Sequence, residues 1–364
     1  MRWCLRLFLV PVLLSLSALL CQNTSPPQLK PRPAGPSVPP PGGTDRQITL
    51  DVQVTDKSRA PVRGLQRQDF TLLDDKQPKN ILSFQAVDGT PGSPTDPSVE
   101  IVLVIDAVNT APQAVSYERN EVKKFLLQNG GKLAQPVSLV VFTDTGTKIQ
   151  EDSSRDGNAL ASLYDQYETG LRVITRSQGF YGAAERFDLS IKALNSLAAY
   201  EEKRPGRKLV IWFSPGWPLL SGPSLRLSEK DERQLFNSIV LASTALRQAR
   251  ITLYSIDPHG PEEAGGIRVS YYEEFLKGIT SPSRALPGDL GLQVLAVQSG
   301  GRVFNSTNDL TGAIATAAAD ANAFYVLSFE AARADRPDEY HSLSVTVGKP
   351  GTTARTRTGY YAQP

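Results

Sequence analysis

Residues 99–106, Val-Glu-Ile-Val-Leu-Val-Ile-Asp, form a nearly continuous apolar run that stops on an acid. A strand with one wet face alternates polar and apolar residues. A run of this kind is buried on both faces, as in a parallel sheet. Residues 208–213 and 251–256 repeat the pattern, and the latter also stops on an acid, Asp257. Helical spacing lies between and beyond these runs. Val115, Val122, Phe125 and Leu126 mark one helix and residues 158–167 a second. Phe187, Ile191, Leu194, Leu197 and Ala198 mark a third over 184–203. Leu235, Phe236, Ile239, Val240 and Leu246 mark a fourth over 227–250. A helix over 290–298 stops at Ser299-Gly300-Gly301, a short strand covers 302–304 and a last helix 309–320. With a further strand over 137–142, the alternation predicts an α/β unit over 98–322. Its sheet is open and mostly parallel, with helices on both faces.

The flanks read differently. Ile48, Leu50, Val52 and Val54 alternate with polar neighbours, and short strands follow over 69–73 and 81–84. Near the other end His341, Leu343, Val345 and Val347 alternate with Tyr340, Ser342, Ser344 and Thr346, and residues 353–361 alternate again. No helix separates these strands, and some forty residues at the first end cannot bury a core alone. The two sets, 46–88 and 323–362, are therefore expected to build one small β-sandwich interrupted by the α/β unit.

Ahead of them, residues 1–21 carry Arg2 and Arg6 before an apolar run too short for a comfortable span, the pattern of a cleaved secretory signal. Cys21 is a candidate lipid anchor, the only membrane attachment expected. Residues 22–45 are Pro-rich, with eight prolines and three glycines over 25–43, and read as a tether or a featureless leader. Residues 88–98 read as a linker. Removing the two signal arginines from the 39 basic residues leaves 37 against 37 acidic ones, a net charge of zero. That disfavours nucleic acid held by charge. Both cysteines precede residue 22, so the mature chain has no disulfide, and two histidines leave little for His-rich metal chemistry.

In an open α/β sheet, ligands gather outside the carboxyl ends of the strands. The groups there are Asp106, Asn109 and Thr110, then Thr143 and Asp144, then Ser214, then Asp257 and His259. This oxygen-rich rim suits a hard cation such as Mg²⁺ or Ca²⁺. The same residue types also cap following helices.

The stretches VTDKSRAPVRGLQRQDFTLLDD (54–75), IVLVIDAVNT (101–110), RPGRKLVIWFSPGWP (204–218), ITLYSIDPHG (251–260), LAVQSGGRVF (295–304) and RTRTGYYA (355–362) resemble, in order and spacing, the acidobacterial von Willebrand factor A-related family. The resemblance covers roughly residues 46–362. It implies a secreted protein with a von Willebrand A-type domain, used in the wider superfamily mostly for adhesion and protein binding. Such domains often hold a metal through Asp-x-Ser-x-Ser, a later Thr and a final Asp. Here Asp106 matches, Val108 replaces the first Ser, Thr110 replaces the second, Arg186 or Asp188 falls near the Thr, and Ser214-Pro215-Gly216 replaces the final Asp-Gly. The resemblance thus implies a degenerate site. The candidate ligands are Asp106, Thr110, Ser214 and Asp257, for weak Mg²⁺ or Ca²⁺ with no cofactor required.

Three functions follow. The first is a secreted or surface-tethered module binding a protein or cell-envelope ligand. Its rim is Asn109, Asp144, Trp217 and His259, with Pro218, Tyr271, Tyr272 and the long loop 257–288 as further candidates. The second is a structural subunit of an envelope assembly. The third is a hydrolase using Ser214, His259 and Asp257, although no G-x-S-x-G elbow is present. No phosphate-binding glycine motif opens a helix.

Overall fold

A computed structural model describes residues 46–88, 99–168, 179–218, 220, 227–260 and 271–364. The signal, the tether, both cysteines, most of the 88–98 linker and residues 261–270 of the long loop lie outside the described residues.

Four strands open the chain: β1 (Gln47–Thr55), β2 (Phe70–Asp74), β3 (Gln77–Lys79) and β4 (Ser83–Val87). The α/β unit follows with β5 (Val99–Asp106), α1 (Pro112–Leu126), β6 (Lys132–Thr143), β7 (Gly146–Ile149) and β8 (Ser154–Asp156). Then come α2 (Gly157–Glu168), α3 (Gly179–Glu202), β9 (Arg207–Phe213), α4 (Glu229–Gln248) and β10 (Ile251–Ile256). The helix Leu292–Gln298, β11 (Val303–Phe304) and the helix Leu310–Ala319 complete it. The chain closes with β12 (Phe324–Glu330), β13 (Glu339–Val347), β14 (Thr353–Arg355) and β15 (Gly359–Ala362).

The central sheet has the order β11-β10-β9-β5-β6-β7, with β8 also on β6. Pairing from β11 through β6 is parallel, as the apolar runs predict. Alternate residues of β5 feed two cores. Val102 and Val104 pack with Val210, Trp212 and Leu253 under α3 and α4. Ile101, Leu103 and Ile105 pack with Leu209, Ile211 and Phe213 under α1 and α2. Residues 101–105 are at most 3% exposed, so each side chain contributes about 1.5–3 kcal/mol of burial.

The edge beyond β6 differs from the sequence expectation. Thr143 pairs with Gly146, so β6 turns back as an antiparallel hairpin before the chain reaches α2. Asp144 lies in that hairpin turn. Strands of three and four residues carry too little periodicity to stand out in the sequence.

Both chain ends meet in two antiparallel four-stranded sheets, β14-β1-β12-β4 and β15-β13-β2-β3. Leu50 stands opposite Leu327, and Leu72 opposite Val345. Ile48, Leu50, Val52, Leu72, Leu327, Phe329 and Tyr360 share the core between the sheets. Neither chain end buries this face without the other. The single strand expected over 353–361 is divided: β14 belongs to one sheet and β15 to the other, and the chain crosses between them at Thr356–Thr358.

The outward side of β1 faces the α/β unit. Gln53 donates to the Asp320 carbonyl, and Asp51 holds Arg250. The Asp320 carboxylate accepts from Tyr254 Oη at 2.7 Å and from Arg355, and its carbonyl accepts from Arg207 Nη1 at 3.0 Å. Arg207 in turn lies over the Phe324 ring, 4.5 Å from its centroid.

Candidate functional site

The carboxyl ends of β5, β9 and β10 lie side by side, because Phe213 pairs with both Ile105 and Ile256. Asp106, Ser214 and Asp257 are the next residues out.

Asp106 is fully buried. Its Oδ1 accepts the backbone N–H groups of Val108 and Asn109, both at 2.9 Å. Its Oδ2 accepts Asn109 Nδ2 at 2.8 Å and Trp212 Nε1 at 3.0 Å. Burial holds the carboxyl above its ordinary range, and these four donors offset only part of that rise. The N-cap of α1 is Ala111, which caps nothing through its side chain. Asp106 therefore organises the turn ahead of the helix and does not cap it. Asn109 Nδ2 also reaches Ser190 Oγ on α3 at 2.9 Å, and Ser190 donates to the Arg186 carbonyl at 2.7 Å.

Val108 is buried in the apolar core. Thr110 is buried as well, and its Oγ1, like Asn109 Oδ1, has no hydrogen-bond partner. Ser214 is fully buried; its N–H donates to the Ile256 carbonyl, and its Oγ accepts the Gly216 N–H at 3.3 Å. Asp257 Oδ1 accepts the His259 N–H at 2.9 Å and lies 2.9 Å from His259 Nδ1.

These positions do not fit a resident divalent cation. Two oxygens on one such ion lie within about 5 Å of each other. Asp257 stands two strands from Asp106, roughly 10 Å along the sheet, and its carboxylate is turned onto its own neighbour. Asp106 has each oxygen engaged by two protein donors. Thr110 Oγ1 is the single member with an orphaned, buried oxygen.

Trp217 corrects the expected rim. It is 4% exposed and packs edge-on against Trp212, with ring centroids 5.4 Å apart, as part of the core. Asn109, Asp144 and His259 are half-buried at the carboxyl ends, as are Tyr271 and Tyr272 in the loop. Tyr271 is tilted against Phe275 at 5.2 Å.

Sequence reasoning missed three features. Ser190 makes the α3 contact expected near Arg186 or Asp188. Glu118 on α1 is fully buried with neither carboxylate oxygen hydrogen-bonded. Burial first, and the nearby Asp106 second, hold its carboxyl well above the usual range. Its signal is the spacing of four that puts it on the same stripe as Ala114 and Val122. Phe180 and Tyr181, at the start of α3, are 58% and 83% exposed.

The strand order and two-sided helix cover make this an open, mostly parallel α/β unit joined to a sandwich. No family model matches the chain, and no curated protein matches it in sequence. Similar solved structures include the human COPII-coat protein Sec24c, at 11% identity and a TM-score of 0.30, covering 76% of this chain and 45% of that one. This chain thus spans less than half the length of Sec24c. The D319A mutant of the PilB minor pilin from Streptococcus sanguinis aligns at 10% identity and a TM-score of 0.36, covering 77% of this chain and 89% of the pilin. The manganese-loaded Plasmodium vivax TRAP protein aligns at 10% identity and a TM-score of 0.32, covering 78% and 99%. These likenesses concern shape and assign no activity. Among the described residues, no helix is long and apolar enough to cross a membrane.

Proposed function

We propose that this chain is a secreted or surface-tethered binding module, holding a protein or cell-envelope ligand at the carboxyl-end face of its α/β unit. In this reading it needs no resident metal and performs no turnover. One observation carries the proposal. Ser190 is level with Asn109 on the rim, so the ten residues back to Phe180 carry α3 about 15 Å beyond it. The tip presents Phe180 and Tyr181 to solvent, ring to ring at 6.1 Å. Exposed paired aromatics are the residue types that anchor protein interfaces. Beneath them Asn109 and Trp212 hold both oxygens of Asp106 by hydrogen bonds made without an ion.

The test is adhesion of beads carrying the full chain to envelopes of its own source cells. Capture that survives EDTA and disappears in Phe180→Ala/Tyr181→Ser supports the reading. Capture abolished by EDTA, or unchanged in the double variant, refutes it.

A second reading rests on the Asp257–His259 pair, which resembles the acid and base of a hydrolase triad. Ser214 Oγ is turned to Gly216, which speaks against it. Ester or peptide turnover lost in Ser214→Ala and His259→Ala would establish it in place of the binding role.

A further inference from the structure

At the amino end of β10, six residues and about 20 Å from the rim, β1, the end of α4 and the β14–β15 crossing enclose a small cavity. Its lining includes Thr49, Asp51, Arg247, Arg250, Thr356 and Arg357. Three guanidinium groups thus meet one carboxylate, and Asp51 already accepts from Arg250 Nη2. No side-chain hydrogen bond or ion pair joins the Arg247 or Arg357 guanidinium to a described residue, and Asp51 is the carboxylate that attracts Arg357. Arg357 is 8% exposed. Arg250 Nε and Thr356 Oγ1 are buried without a partner on the same lining.

We infer that this cavity is a binding site for a small tetrahedral oxyanion, phosphate or sulfate in class. One carboxylate shared among three guanidinium groups leaves an excess of positive charge, which is costly on burial and which a water molecule does not offset. An oxyanion supplies both the charge and several acceptor lone pairs to guanidinium forks and a hydroxyl. The recess is small and opens to solvent, which favours a small inorganic ion seated at its mouth over a larger organic ligand. Burial, and then Arg247 beside it, pushes Arg357 down to about 9, with Asp51 opposing them. Burial likewise lowers Arg247. The strands, helix and crossing that line the cavity come from both the sandwich and the α/β unit, so the ion would bind across their seam.

The test is calorimetric titration of the full chain with sodium phosphate and sodium sulfate, at constant ionic strength made up with sodium chloride. We expect saturable one-site binding. In Arg247→Gln, a half-buried position, it should weaken at least tenfold. In Arg233→Gln, whose partner is the exposed Glu229, it should be unchanged. Circular dichroism confirms that each variant is folded. Heat that does not saturate, an equal response to chloride alone, or wild-type affinity in Arg247→Gln would each overturn the assignment.

Discussion

Trp212 Nε1 donates to Asp106 Oδ2 at 3.0 Å, tying the carboxyl end of β9 to that of β5 beneath the rim. The indole is 1% exposed, and so has no water to turn to. Replacing Asp106 by Ala strands this donor together with Asn109 Nδ2 and two backbone N–H groups. The expected cost is about 1–3 kcal/mol for each buried donor that stays without a partner. Urea titration measures it. The same experiment tests the metal reading: millimolar Mg²⁺, Ca²⁺ or Mn²⁺ should leave the wild-type midpoint unmoved.

Glu118 should respond in the opposite direction. Its folded-state carboxyl titrates above its unfolded value, so between the two values the folded protein binds more protons than the unfolded chain. Its contribution is complete below the unfolded value and is lost as pH rises through the folded one. Glu118→Gln never ionises. It should therefore stabilise the protein at neutral pH by about 1–3 kcal/mol, the scale of an unsatisfied buried polar group, with the advantage vanishing near pH 4. Urea midpoints at both pH values check this.

A second buried acid sits at the opposite end of the sheet. Burial first and Glu100 second raise Glu201 to about 7, although Arg204 lies 3.6 Å from it. Stability should fall between the unfolded value near 4.5 and pH 7. Glu201→Gln should flatten that slope, which thermal melts from pH 5 to 8 would reveal.

Asp320 fastens the α/β unit to the sandwich through Tyr254 and Arg355. Asp320→Ala leaves the Tyr254 hydroxyl without a partner and removes the carboxylate from Arg355, which keeps the Gly300 carbonyl, and from Arg302 at 3.7 Å. A loss of about 3–5 kcal/mol is expected. Limited proteolysis should then cut first between β11 and β12, where the two parts join.

Much of this architecture was legible from local pattern. The apolar runs at 99–106, 208–213 and 251–256 announced parallel strands, since burial on both faces leaves no room for polar alternation. The alternation of Ile48, Leu50, Val52 and Val54 announced a strand with one wet face. That face proved to meet the α/β unit instead of water, because Gln53 and Asp51 pair with groups from residues 250 and 320. The short strands β7 and β8 were not legible, and Asp144 accordingly fell in a hairpin turn.

At the rim the sequence identified which residues stand at the strand ends but not what they face. Val108 and Ser214 already signalled a departure from the metal-binding pattern on side-chain chemistry alone. That Asp106 spends its oxygens on Asn109 and Trp212, and that Trp217 turns inward, depended on tertiary structure. So did the convergence of Arg247, Arg250 and Arg357 on one cavity. Periodicity along a chain records which side of an element is apolar. It carries no record of which distant element will supply a donor, since strand order and crossovers bring together residues a hundred positions apart.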